Sequence, residues 1–164
     1  KAEEILEQAE NKFSEDIRPL KGLARIYFET ARIDKASDYL DKVLQKSDDD
    51  LFARMLKARI DLNRRNFGKA AERLESIVQN RSELAKPRYY LSLAYFGQGM
   101  ENRAKNSLDN ALDKNPNYTK ALLHKSELLL KERDLEKAKQ LCEKALDNSP
   151  KNLQAHILKG KIAL

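Results

Sequence analysis

The chain has 164 residues, of which 41% are hydrophobic and 35% are charged, and it carries a formal net charge of +6. This apolar content argues against an intrinsically disordered chain, and no apolar run approaches the roughly 20 residues that cross a bilayer. Basic and acidic residues alternate along the chain, which argues against a dedicated nucleic-acid module and permits an acidic partner. Cys142 is the only cysteine, so an internal disulfide is excluded. The lack of a disulfide is compatible with the cytoplasm and with the bacterial periplasm.

Small residues recur at a fixed interval of 34 residues, beginning with Ala2 and followed by Ala36, Ala70, Ala104 and Ala138. Two further columns follow these alanines at helical spacing: Leu6, Leu40, Leu74, Leu108 and Cys142, then Ala9, Val43, Ile77, Ala111 and Ala145. A second small-residue column consists of Ala24, Ala58, Ser92, Ser126 and Gly160. Columns in register over nearly the whole chain indicate an array of structural repeats.

In chain order, the period predicts a second helix of a partial repeat, four full repeats and the first helix of a further repeat, at 1–16, 17–50, 51–84, 85–118, 119–152 and 153–164. Each full repeat shows two helical apolar patterns of about a dozen residues. The segments Asn115-Pro116-Asn117 and Asn148-Ser149-Pro150 carry helix-stop signals between repeats. Two helices joined by a short turn form an antiparallel hairpin. The small residues let the two helices approach closely.

The period, the small-residue columns and the runs Ala-Leu-Asp-Lys-Asn-Pro at 111–116 and Ala-Leu-Asp-Asn-Ser-Pro at 145–150 resemble the tetratricopeptide repeat (TPR) family. The resemblance implies an all-α, right-handed superhelical solenoid of antiparallel helix hairpins in one array. Because both ends fall within a repeat, we expect the chain to be part of a longer array. Asp61 departs from the family pattern, which has an apolar residue there. Lys57, Lys125 and Lys159 stand where other repeats have leucine. The two interpretations are apolar stems with charged tips in water, and hairpins that pack somewhat differently.

The sequence offers no convincing catalytic, metal or cofactor site. His124 and His156 belong to different columns and lack neighbours at metal-ligand spacing, so both are interpreted as polar or half-buried helix residues. Cys142 replaces a leucine of its column and is expected to be a small buried residue. The glycines form no phosphate-binding loop. We therefore expect no enzyme activity and no cofactor.

In solenoids of this kind the first helix of each hairpin lines the inner surface. The resemblance assigns four places of each repeat to that surface. The second place gives Arg18, Phe52, Lys86, Lys120 and Gln154. The fifth gives Lys21, Met55, Tyr89, Leu123 and Ile157. The ninth gives Arg25, Arg59, Leu93, Glu127 and Lys161. The twelfth gives Phe28, Leu62, Phe96, Leu130 and Leu164, for which packing is the competing interpretation.

Two features of these places form the predicted binding site, together with Phe52, Lys86 and Lys120. The first is a basic entrance of Arg18, Lys21, Arg25 and Arg59. The second is an apolar strip of Met55, Tyr89, Leu93 and Leu123. The hypothesis is that a partner segment places apolar anchors on the strip and its acidic end near the arginines. The alternatives are a solvated basic face and a strip covered by neighbouring side chains.

These observations predict a protein–protein interaction scaffold. The run Leu-Leu-Leu-Lys-Glu-Arg-Asp-Leu-Glu-Lys-Ala at 128–138 is similar to long bacterial TPR proteins of the cell envelope, including those of exopolysaccharide export and protein sorting. That similarity implies a bacterial envelope or secretion assembly, in the periplasm or the cytoplasm. The alternatives are a repeat that binds single-stranded RNA through its arginines and aromatic rings, and a scaffold that associates with itself. The interspersed acidic residues disfavour nucleic acid.

Overall fold

The computed structural model describes residues 1–163, which form ten α-helices and no β-strand. The helices are α1 Ala2–Lys12, α2 Ile17–Glu29, α3 Ile33–Lys46, α4 Leu51–Asn63, α5 Phe67–Asn80, α6 Ala85–Gly97, α7 Glu101–Lys114, α8 Thr119–Lys131, α9 Leu135–Asn148 and α10 Leu153–Ile162. The prediction of an all-α helical-repeat solenoid is confirmed. Leu164, which was assigned to the inner surface, lies outside the described residues.

The helices fall into two compact units, one of residues 1–80 and one beginning at Arg81. In unit 1, α2 packs against α3, and α4 packs against α5. Its core includes Leu23, Tyr27 and Leu40. In unit 2, α6 packs against α7, and α8 packs against α9 and α10. A core cluster of unit 2 includes Leu122 and Cys142.

The turn inside each hairpin repeats one backbone conformation. Ala31, Arg65, Gly99 and Arg133 are 34 residues apart and have φ angles of 58°, 60°, 74° and 64°. The next residue donates its N–H to a carbonyl five residues upstream, as Arg32 does to Tyr27 at 2.8 Å and Met100 to Tyr95 at 2.9 Å. This is the Schellman motif that ends helices on a left-handed residue. Three of the four turns therefore hold a side chain in a conformation that favours glycine.

Most members of the two small-residue columns are buried, with Ala2 and Gly160 exposed. Ala36, Ala70, Ala104 and Ala138 are all fully buried. Where the second column has serine, the hydroxyl is satisfied: Ser126 Oγ donates to the Ala138 carbonyl at 2.6 Å. A buried alanine or a bonded serine therefore occupies positions at which a larger side chain would separate the helices.

Three of the four residues that depart from the family pattern have an oppositely charged partner. Asp61 is only 7% exposed and accepts from Arg73 Nε at 2.8 Å. A buried carboxylate needs such a partner, because an unpaired one would lose its hydration without compensation. Lys57 is half-buried and pairs with Asp41. Lys125 Nζ lies 2.5 Å from Asp109. These two lysines therefore have partly covered stems and neutralised tips.

Candidate functional site

On α2 and α4 of unit 1, which were predicted to contribute to the inner surface, two arginines lie over aromatic rings of the neighbouring helix. The Arg25 guanidinium of α2 lies 5.2 Å from the centre of the Phe52 ring of α4. Conversely, the Arg59 guanidinium of α4 lies 4.5 Å from the centre of the Phe28 ring of α2. A cation over an aromatic face is attracted by the ring quadrupole, and the stacked guanidinium keeps hydrogen-bond donors at its edges. Each guanidinium group therefore lies close to an aromatic ring of the neighbouring helix.

The other two residues of the basic entrance are engaged with carboxylates. Lys21 Nζ lies 2.6 Å from Asp50, which also caps α4 by accepting from the Ala53 N–H. Arg18 is exposed and forms its ion pair with Asp16 at 2.5 Å. The guanidinium lowers the pKa of the Asp16 carboxyl through hydrogen bonding. The four predicted basic residues thus have different surroundings: Arg18 and Lys21 form ion pairs, Lys21 also lies 5.8 Å from the centre of the Phe52 ring, and Arg25 and Arg59 lie over aromatic rings.

Two residues of the predicted apolar strip are not exposed. Met55 of unit 1 is 9% exposed and Leu123 of unit 2 is 3% exposed, so both are buried. The competing interpretation, that neighbouring side chains cover the strip, holds for these two residues. Tyr89 and Leu93 are half-buried and Lys86 is exposed. The anchors available at the surface are therefore fewer than predicted.

In unit 2 a cavity of about 320 Å³ opens between α6, α8 and α10. Its lining consists of Tyr89, Leu93, Lys120, Leu123, His124, Glu127 and Gln154. Four of these residues belong to the predicted binding set, and the structure brings them together. Glu127 and Gln154 lie in predicted inner-surface columns but were not selected as binding residues. His124 was missed altogether.

His124 sits among aromatic rings at the wall of this cavity. Its ring centre lies 5.1 Å from that of Phe96 and 6.2 Å from that of Tyr89, and the Tyr89 ring meets Tyr118 edge-on at 5.3 Å. The Nδ1 atom is buried and has no hydrogen-bond partner among the described residues. Burial lowers the pKa of the imidazole, so the neutral form is favoured. Its position next to Leu123 in the fifth place was the one sequence signal that could have indicated it.

The remaining chemistry-bearing residues have structural positions. Cys142 is fully buried and its Sγ lies 3.3 Å from the Ala155 carbonyl oxygen. Burial raises the pKa of this thiol, which disfavours the reactive thiolate. His156 is exposed, with Nε2 2.8 Å from the Pro150 carbonyl oxygen. None of the helices among residues 1–163 is long and apolar enough to cross a membrane.

Comparison with known sequences gives the family. The sequence model of the tetratricopeptide repeat matches residues 1–60 and 95–162. The chain belongs to the tetratricopeptide repeat family. No curated protein matches the sequence.

Solved structures of other TPR-like proteins share the fold. A thermophilic TPR protein of Thermus thermophilus superposes with a TM-score of 0.83 at 19% identity, covering 99% of this chain and 89% of the other. PilF of Pseudomonas aeruginosa gives 0.79 at 19% identity, covering 96% and 72%. MamA of Desulfovibrio magneticus RS-1 gives 0.73 at 20% identity, covering 92% and 85%. Identities this low support the fold alone.

Tetratricopeptide repeats generally mediate protein–protein interaction, and the family typically consists of scaffolds without enzymatic activity. The general class of the chain is therefore a TPR protein with protein partners. The particular residues that contact a partner belong to the proposal that follows.

Proposed function

We propose that the chain is a protein-interaction scaffold that holds a segment of a partner protein against the first helices of its hairpins. The observation that carries this proposal is the cavity of unit 2, where Tyr89, Leu93, Lys120 and Leu123 line one concave space. Ligand sites are concave, with apolar walls and a few polar groups that fix orientation. Tyr89 and Leu93 are the half-buried side chains on which an apolar anchor of the partner would pack.

The arginines of unit 1 that lie over aromatic rings favour a partner segment that contains acidic residues. Arg25 is exposed and Arg59 half-buried, and their guanidinium groups are held over Phe52 and Phe28. Because stacking already restricts the arginine rotamers, less conformational entropy is lost when a carboxylate binds. An acidic segment fits this surface better than an apolar one.

The test is a pull-down from a lysate of the source organism with the full chain as bait. One variant combines Arg25→Glu with Lys120→Glu, and a second carries Tyr89→Ala. Truncating a half-buried aromatic anchor removes buried contact area, and reversing two charges replaces attraction of an acidic segment by repulsion. We expect a protein captured by the unmutated bait to be lost, or reduced about tenfold, with either variant. Substitutions of Met55 or Leu123 are unsuitable, because both side chains are buried and their loss would destabilise the fold.

The matched control carries Lys69→Glu and Lys144→Glu, which change the charge equally at exposed positions on the second helices α5 and α9. Capture by the control bait together with loss from the variants supports the proposal. Equal capture by all baits contradicts it. Elution of nucleic acid with salt would instead favour the RNA-binding alternative, because each neutralised phosphate releases counterions. Light scattering at increasing concentration tests self-association.

We also propose, from the sequence, that this interaction takes place in a bacterial envelope or secretion assembly. The sequence similarity of residues 128–138 to envelope TPR proteins supports this setting. Fractionation of the source cells followed by immunoblotting tests it, and a chain recovered away from envelope and periplasmic fractions would contradict it.

A further inference from the structure

The cavity of unit 2 has opposite charges at its two ends. Four lining residues come from one face of α8, because their spacing is i, i+3, i+4 and i+7: Lys120, Leu123, His124 and Glu127. At about 1.5 Å per residue, Lys120 and Glu127 are separated by roughly 10 Å along the helix axis. This distance is too great for the two groups to pair with each other.

The described residues give neither charge another partner. Lys125, on a different face of α8, pairs with Asp109 at 2.5 Å. By contrast, no carboxylate among residues 1–163 lies within ion-pair distance of Lys120, and no basic group lies within that distance of Glu127. Opposite charges that remain unpaired on the two sides of a cavity can interact with complementary charges of a ligand.

The surrounding side chains give each end of the cavity a distinct character. Gln154 is the second residue of α10, as Lys120 is of α8, so an amide and an ammonium group stand at corresponding places on these two lining helices. Both can donate hydrogen bonds to a carboxylate. Towards the other end, the Glu127 carboxylate is able to accept hydrogen bonds from a ligand, and Leu93 occupies the corresponding place on α6. Tyr89 is in the fifth place of its repeat, so its ring comes between the second-place residues Lys120 and Gln154 and the ninth-place residues Leu93 and Glu127.

We propose that the cavity binds a partner segment in which an apolar side chain is flanked by an acidic residue on one side and a basic residue on the other. The acidic residue lies at the Lys120 end and the basic residue at the Glu127 end, so the cavity fixes the direction of the segment. A purely anionic ligand is disfavoured because Glu127 would repel it, and a purely cationic ligand is disfavoured by Lys120. This inference rests on the proposed function, since it identifies the chemistry of the segment bound in unit 2.

The experiment selects phage-displayed random peptides on the immobilised full chain. In parallel, the same library is selected on an exchange variant that carries Lys120→Glu and Glu127→Lys. The unmutated chain should enrich peptides with one order of acidic, apolar and basic residues, and the exchange variant should enrich the reverse order. For synthetic peptides of the two orders, we expect the ratio of dissociation constants to change about tenfold between the two proteins, since the exchange turns two attractive charge contacts into repulsive ones.

A control exchange, Lys125→Asp with Asp109→Lys, keeps the net charge and changes an ion pair outside the cavity. It should enrich the same order as the unmutated chain, and circular dichroism should show unchanged helix content in both exchange variants. Enrichment of the same order by the Lys120/Glu127 variant overturns the inference, as does the absence of any preferred order. If the selected peptides are instead lost with Arg25→Glu alone, the inference is wrong while the scaffold proposal stands. Capture of neither peptide nor protein contradicts both.

Discussion

Units 1 and 2 use the same places of the repeat in different ways. In unit 1 the ninth-place residues are Arg25 and Arg59, and each is stacked on a ring of the opposite helix. In the two full repeats of unit 2 the ninth-place residues are Leu93 and Glu127, which line a cavity with unpaired charges. The backbone repeat is common to both, so the character of each surface is set by the side chains placed on it.

The largest expected effect tests whether both units depend equally on close helix packing. Replacing Ala70 in unit 1 or Ala104 in unit 2 with leucine should each lower the free energy of unfolding by about 3 kcal/mol, because both alanines are fully buried and overpacking forces the helices apart. The midpoint of urea denaturation, followed by circular dichroism, measures this loss. Ala2→Leu is the matched control, since Ala2 belongs to the same column but is exposed. A leucine tolerated at Ala104 would show that the hairpin contact is loose.

The second prediction contrasts two residues 34 positions apart, Asp61 in unit 1 and Tyr95 in unit 2. Arg73→Leu removes the partner of the buried Asp61 carboxylate and should cost about 2 kcal/mol. Arg103→Leu removes a guanidinium that lies 4.2 Å from the Tyr95 ring centre and donates to its hydroxyl at 2.7 Å. This substitution should lower the free energy of unfolding by only about 1 kcal/mol. A buried neutral hydroxyl without its partner costs less free energy than a buried carboxylate without its partner.

Urea denaturation of both variants checks this order. Adding Asp61→Leu to Arg73→Leu should recover most of the lost stability, since removing both charges leaves no unpaired group. An equal loss for Arg73→Leu and Arg103→Leu would show that the buried carboxylate finds another partner.

The sequence predicts the fold because the period fixes many contacts at once. Each repeat needs a small residue at the place of the fully buried Ala36, Ala70, Ala104 and Ala138. The recurrence of alanine every 34 residues reveals this packing requirement in the sequence. The site was predictable only in part. Tyr89, Leu93 and Lys120 do line a common cavity, but the burial of Met55 depends on how neighbouring side chains fill space, which periodicity does not encode. His124 could have been indicated only by its position next to Leu123, because its own place in the repeat carries no functional signal.

The left-handed turns provide a smaller test with opposite signs in the two units. Gly99 of unit 2 and Ala31 of unit 1 occupy the same place of the turn, with φ angles of 74° and 58°. Gly99→Ala should lower the free energy of unfolding by about 1 kcal/mol, because a Cβ strains this conformation. Ala31→Gly should raise it by a similar or smaller amount, since the relief of strain is partly offset by the entropy of the unfolded chain. Differential scanning calorimetry of both variants would show whether the two turns behave alike, and a change of the same sign in both would contradict a shared constraint.

The smallest expected effect is a pH dependence confined to unit 2. Burial lowers the pKa of His124 from its ordinary value of 6.5, while Glu127 on the same helix opposes the shift and Lys131 adds to it. As the pH drops below about 6.5, His124 binds a proton in the unfolded chain but not yet in the folded chain. The free energy of unfolding should therefore be highest above this pH and should decrease as the pH drops towards the lower pKa of the folded chain. Urea midpoints measured across this range should show the decline in the unmutated chain and in His156→Gln, whose histidine is exposed. In His124→Gln the decline should be reduced, and a variant that keeps the full decline would assign it to carboxylates elsewhere in the chain.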